Sequence, residues 1–113
     1  MSRDTPELLK GTLDLLILKT LQAGPLHGYG IARALEEKTG RALQIEEGSL
    51  YPALYRMTER GWIDFEWGVS EKNRKKKSYR LTAKGTKLLR EKQTQWTEFT
   101  AAVALVLEEG TAS

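Results

Sequence analysis

Apolar residues crowd the first part of the chain. Between Leu8 and Ala23 they fall at Leu8, Leu9, Leu13, Leu15, Leu16, Ile17, Leu18 and Leu21, on more than one side of a helix. A helix apolar nearly all round needs cover from two directions. Gly24-Pro25 ends it, because proline cannot continue a helix. A second short helix, from about His27 to Lys38, sets Ile31, Ala32 and Leu35 on one side and closes at Thr39-Gly40. Short helices joined by a glycine-bearing turn fit a helix-turn-helix. The third helix lies within Glu46 to Arg60, and Glu46 and Glu47 suit its positive end. Leu50, Leu54 and Met57 recur at helical spacing as core, which turns Ser49, Tyr51, Tyr55 and Arg56 toward other faces. Pro52 is expected close to the helix start, where a missing N–H costs least, and Gly61 is the stop.

The period then changes from that of a helix to that of a strand. Ile63, Phe65 and Trp67 alternate with Trp62, Asp64 and Glu66, and a partner strand over Lys77 to Thr82 turns Tyr79 and Leu81 inward, Ser78 and Arg80 outward. The connection between them, Gly68 to Lys76, is long for a hairpin and carries most of a cation run. Three helices followed by a two-stranded hairpin is the order of a winged helix-turn-helix. Thr82 is placed to cap a last helix from Ala83 to about Glu109, roughly 40 Å long. From Trp96 onward its apolar residues Trp96, Phe99, Val103 and Val106 keep 3-4 spacing, the stripe of a helix packed along another helix. So small a chain has no mate for that stripe, which predicts a homodimer built from the first and last helices, with Leu13, Ile17, Leu89, Trp96, Phe99, Val103 and Val106 at the interface. The expected fold is mainly α with a small β-hairpin wing, divided into a winged helix-turn-helix over 1–82 and a dimerisation helix with a short tail over 83–113.

Charge sharpens this picture. The net charge is only +3, but residues 72 to 92 hold ten cations against Glu91 alone, +9, which leaves the rest of the chain at −6. Such segregation is what attraction to a polyanion requires, because neutralising phosphates releases condensed counterions. For Arg74, Lys75, Lys76 and Lys77 the alternatives are a solvated loop or contact with a DNA backbone, and their place on a hairpin favours contact. Base reading would fall to Ser49, Tyr51 and Tyr55 of the third helix, which otherwise pack or are solvated. Arg56 is as well placed to hold a phosphate as to pair with Glu59 or Glu36.

Composition closes off other classes. Hydrophobic residues make up 40% and charged residues 29% of 113, the balance of one folded domain. With no cysteine and His27 as the sole histidine, disulfides, thiolate sites and multi-histidine zinc sites are excluded. His27 reads as a cap or packing residue, because catalysis would need orienting partners that the spacing does not supply. No phosphate-loop motif is present, and the glycines at 24, 28 and 30 read as turn and close-packing positions. No apolar run approaches the roughly 20 residues of a membrane span. The expectation is a cytoplasmic protein that is not an enzyme and uses no cofactor.

"LLKGTLDLLIL", "HGYGIARALEE", "GSLYPALYRMTERGWI" and "KSYRLTAKG" together resemble the PadR family of bacterial transcriptional regulators, in particular short members with a single C-terminal helix. The resemblance covers roughly Leu8 to Leu107. It implies a dimeric repressor that binds a pseudopalindromic double-stranded DNA operator and releases it when a small molecule binds. It also implies that Ser49, Tyr51 and Tyr55 face DNA, and that the basic wing touches phosphates or the minor groove. Trp96 resembles a tryptophan that, in some small members, meets its two-fold mate and sandwiches a planar aromatic effector. With Phe99 beside it, the pair is either a ligand site or plain interface core. Two positions depart from the family pattern: Gly30 stands where glutamate is usual, and Ser78 where an aromatic precedes Tyr79. A second reading, a winged-helix module that binds RNA or a protein, tolerates the same basic hairpin.

Overall fold

The computed structural model describes residues 12–109. The chain order is α1 (Leu13–Gln22), β1 (Leu26–His27), α2 (Gly28–Lys38), α3 (Glu47–Glu59), β2 (Ile63–Val69), β3 (Lys75–Leu81) and α4 (Ala83–Glu109). The earlier part of the predicted first helix, with Leu8 and Leu9, lies outside the described residues. The three strands form one antiparallel sheet in the order β1-β3-β2. β1 is a finding beyond the expected hairpin: Leu26 pairs with Tyr79 and His27 with Ser78. No helix among the described residues is long and apolar enough to cross a membrane.

α1, α2 and α3 close around a core of Ile17, Leu18, Ile31, Leu50, Leu54 and Met57, joined by Ile63 of β2 and Leu89 of α4, all fully buried. Each such side chain stabilises the fold by about 1.5–3 kcal/mol through burial. The connection between α2 and α3 holds two successive left-handed residues, Gly40 and Arg41, at φ 57° and 70°. Thr39 secures it: its hydroxyl donates to the Leu35 carbonyl at 2.8 Å and accepts from the Leu43 N–H at 3.1 Å. Pro52 stands one turn further into α3 than its sequence suggests. The Gly48 carbonyl, four residues back, therefore loses its helical donor.

Thr82 caps α4 as expected, its hydroxyl accepting from the Gly85 N–H at 3.0 Å. The same hydroxyl donates toward the carbonyls of Gly61 and Trp62, at 2.7 and 2.9 Å, so the cap also ties α4 to the end of α3. Lys84 adds a bond from its ammonium to the Arg60 carbonyl at 2.9 Å. Beyond Leu89 the helix runs out from the body, and the molecule as a whole extends 62 Å along its longest axis.

The predicted interface set needs correction. Leu13 (6% exposed), Ile17 (0%) and Leu89 (1%) are buried in the chain's own core and have almost no surface left for a partner. Trp96, Phe99, Val103 and Val106 do remain uncovered, Phe99 at 61% and Val106 at 70% exposure, and Leu105 and Leu107 are exposed with them.

Candidate nucleic-acid interface

The hairpin is longer and its turn tighter than the sequence suggests. β2 and β3 pair continuously from Ile63↔Leu81 to Val69↔Lys75, so Lys75, Lys76 and Lys77 lie in a strand, and the loop shrinks to the turn from Ser70 to Arg74. That turn is ordered by Ser70 N–H to the Arg74 carbonyl at 2.8 Å and Asn73 N–H to the Ser70 carbonyl at 2.8 Å, with Asn73 left-handed at φ 61°. Cross-strand pairing therefore fixes the spacing of the lysines, which a loop would leave free.

One face of the hairpin grades from apolar core to cationic tip: Ile63 with Leu81, Phe65 with Tyr79, Trp67 with Lys77, Val69 with Lys75. Phe65 meets Trp67 edge-on at 5.8 Å and Tyr79 at 5.9 Å between ring centroids. The Lys77 ammonium lies 4.4 Å from the Phe65 centroid and 5.6 Å from that of Trp67. Lys77 is thus held on aromatic faces within the fold, while Lys75 and Lys76 are exposed. On the opposite face Arg80, directly across from Asp64, pairs with it at 2.6 Å and reaches Glu66 at 3.6 Å. These carboxylates, the Asp64 hydrogen bond first, raise the pKa of the guanidinium further and occupy its charge.

The graded face looks across a cleft of about 350 Å³ at the starts of α2 and α3, with Tyr51, Tyr29 and Gly28 opposite Trp67, Lys75 and Lys77. His27 fastens the near end, its Nδ1 donating to the Lys77 carbonyl at 3.2 Å. Partial burial, with a smaller push from Glu47, raises the pKa of the Tyr51 phenol. Burial, then Tyr51, does the same for Tyr79. Both hydroxyls therefore stay protonated at neutral pH and can donate to an anionic oxygen.

The predicted site residues do not all gather here. Tyr51, Lys75, Lys76 and Lys77 line this cleft. Tyr55 stands out from α3 at 69% exposure, and Ser49 is half-buried in its first turn. Arg74 belongs to the wing turn. Arg56, open in sequence to a phosphate or to Glu59 or Glu36, pairs with Asp14 of α1 at 2.6 Å, a contact between residues 42 apart. Trp96 and Phe99 lie together on α4, ring centroids 6.3 Å apart and tilted by 43°. The cleft residues that the sequence did not mark as part of a site are His27, Gly28, Tyr29, Trp67 and Tyr79. The strand alternation had already set Trp67 on the face of Phe65, but which helix start faced it depended on tertiary packing. Among the described residues no cluster of His, Asp and Glu could hold a metal ion.

The family model described as "Transcriptional regulator PadR-like family" matches residues 17–91. Over 73 residues, 65% of this chain and 40% of the other, the sequence is 33% identical to the negative transcriptional regulator PadR of Bacillus subtilis. The crystal structure of that PadR in complex with operator DNA is similar at a TM-score of 0.64 and 31% identity, over 78% of this chain and 47% of the other. A PadR family transcriptional regulator from Eggerthella lenta is similar over 91% of this chain and 88% of its own, at a TM-score of 0.80 and 33% identity.

Proposed function

This chain belongs to the transcriptional regulator PadR-like family, and from that premise we propose that it is a homodimeric repressor of a pseudopalindromic DNA operator, released by a planar aromatic molecule. It is a regulator and not an enzyme. The observation that carries the DNA reading is the cleft in which Tyr51 of α3 and Lys75, Lys76 and Lys77 of the wing converge. α3 would enter a major groove while the wing lies along the phosphates, and two protomers would take half-sites roughly 10 bp apart. The PadR structure with operator DNA supports this use of the fold, and the negative regulator of Bacillus subtilis supports repression. Selecting bound duplexes from genomic fragments, then comparing them with structured RNA by filter binding at fixed salt, tests it. Preference for RNA would overturn the operator reading.

Lys77 is held on rings and Arg80 by carboxylates, so the wing's phosphate contacts fall to Lys75 and Lys76, with Arg74 at the tip. Replacing Lys75 and Lys76 with alanine removes four cations from a dimer. It is expected to flatten the slope of log affinity against log salt by about 3 to 4, and to weaken binding about 10- to 100-fold for all duplex sequences alike. An unchanged slope removes the wing from the interface.

The effector reading rests on Trp96, 40% exposed on the uncovered stripe with Phe99 beside it. Two such tryptophans facing across a two-fold axis would bracket a flat ring system by stacking. Trp96→Ala is expected to abolish most of the fluorescence quenching by a planar dye such as acridine orange while operator binding persists. Quenching that survives in the variant places the dye elsewhere.

A further inference from the structure

Gly28, the first residue of α2, is buried at the cleft. A Cβ placed on it would lie 2.7 Å from Cε1, 2.9 Å from Oη and 3.0 Å from Cζ of Tyr51. No carbon sits that close to a ring, so any side chain at 28 must displace one partner. The ring is what yields. Its contacting atoms are the far end of a side chain that is 41% exposed. The backbone does not require glycine here, since among the described residues φ is positive only at Gly24, Gly40, Gly61, Arg41 and Asn73. Nor do the neighbouring glycines share the contact: a Cβ on Gly30 would meet Leu26 at 3.4 Å, and one on Gly48 would meet nothing within 4 Å.

We propose that Gly28 is a positioning residue for operator binding, its absent side chain forming the seat that aims the Tyr51 phenol into the cleft between α3 and the wing, toward a backbone phosphate. The inference rests on the DNA-binding reading. The phenol is a hydrogen-bond donor, phosphate oxygens are acceptors, and the lysines lining the same cleft attract them. The start of α2 thereby sets the aim of a contact carried by α3.

The test is a double-mutant cycle on a duplex selected by the wild-type protein from a random-sequence pool. Gly28→Ala is expected to lower affinity of the dimer about 100-fold, about tenfold for the one charge-assisted hydrogen bond lost in each protomer, and to leave the melting temperature within a few degrees. In a Tyr51→Ala background, where the ring is gone, Gly28→Ala is expected to change affinity less than twofold. With 3-fluorotyrosine incorporated, the fluorine resonance lost in Tyr51→Phe is the one that moves most in Gly28→Ala, without DNA. An equal loss in both backgrounds overturns the proposal. So does loss of the fold in Gly28→Ala, which would make the ring a structural prop. If the wild-type protein selects no duplex, the DNA-binding reading itself fails and this one with it; a selected duplex with an additive cycle sinks only the role of Gly28.

Discussion

Gly85→Ala is expected to lower stability by about 3 kcal/mol or more, seen as a fall in melting temperature of roughly 10–20 °C. Gly85 is the third residue of α4, buried where the helix crosses the end of α3. A Cβ there would fall 1.9 Å from the Trp62 carbonyl oxygen, with the Trp62 carbonyl carbon at 2.9 Å and Leu81 Cδ1 at 3.0 Å. Helix propensity alone predicts the opposite sign, since alanine is favoured over glycine by about 1 kcal/mol. Sterics win because the obstacle is backbone, and that backbone is pinned: the Trp62 carbonyl accepts from both the N–H and the hydroxyl of Thr82. Relief would mean lifting α4 off the body and opening the site around Leu89. A variant that melts within 2 °C of wild type would show that the crossing is looser than described.

If the proposed dimer forms through the α4 stripe, Phe99→Asp is expected to raise its dissociation constant about 10³-fold or more, which sedimentation or light scattering across a dilution series measures directly. In an isologous interface one substitution acts twice. Each phenylalanine loses about 1.5–3 kcal/mol of burial, and each new carboxylate adds a desolvation cost. The protomer fold should persist, because Phe99 is exposed and lies beyond the last core residue of α4. DNA affinity should fall with dimerisation, since one protomer offers only one half-site. An unchanged dissociation constant would take the stripe out of the interface.

Much of the fold was legible because its signals are local. The switch from helical to alternating spacing at Ile63 located the hairpin, Thr82 announced α4, and the unmatched stripe from Trp96 is visible in 3-4 spacing alone. What was missed depends on partners distant in the chain. Lysine is a poor strand former, so Lys75 and Lys76 look like loop until Val69 and Gly68 pair with them. Asp14 as the mate of Arg56 follows from the packing of α1 on α3, which no spacing within α3 encodes. Leu13, Ile17 and Leu89 are apolar in either setting, and sequence does not tell a residue facing its own core from one facing a copy. Gly28 was readable as close-packing, but its neighbour was not.

α4 has a mechanical consequence. After Gly85 it contains neither glycine nor proline through residue 109, so it behaves as a stiff rod clamped at one end by Thr82, Lys84 and Leu89. From Ala83 to Trp96 the rod is about 20 Å long, so a tilt of about 4° about Trp96 would move its clamped end by roughly 1.4 Å. If two protomers join through this stripe as proposed, a flat molecule wedged at Trp96 that tilts the rods by that little would change the separation of the two heads by a distance comparable to a hydrogen bond's tolerance, with no residue of either head needing to repack.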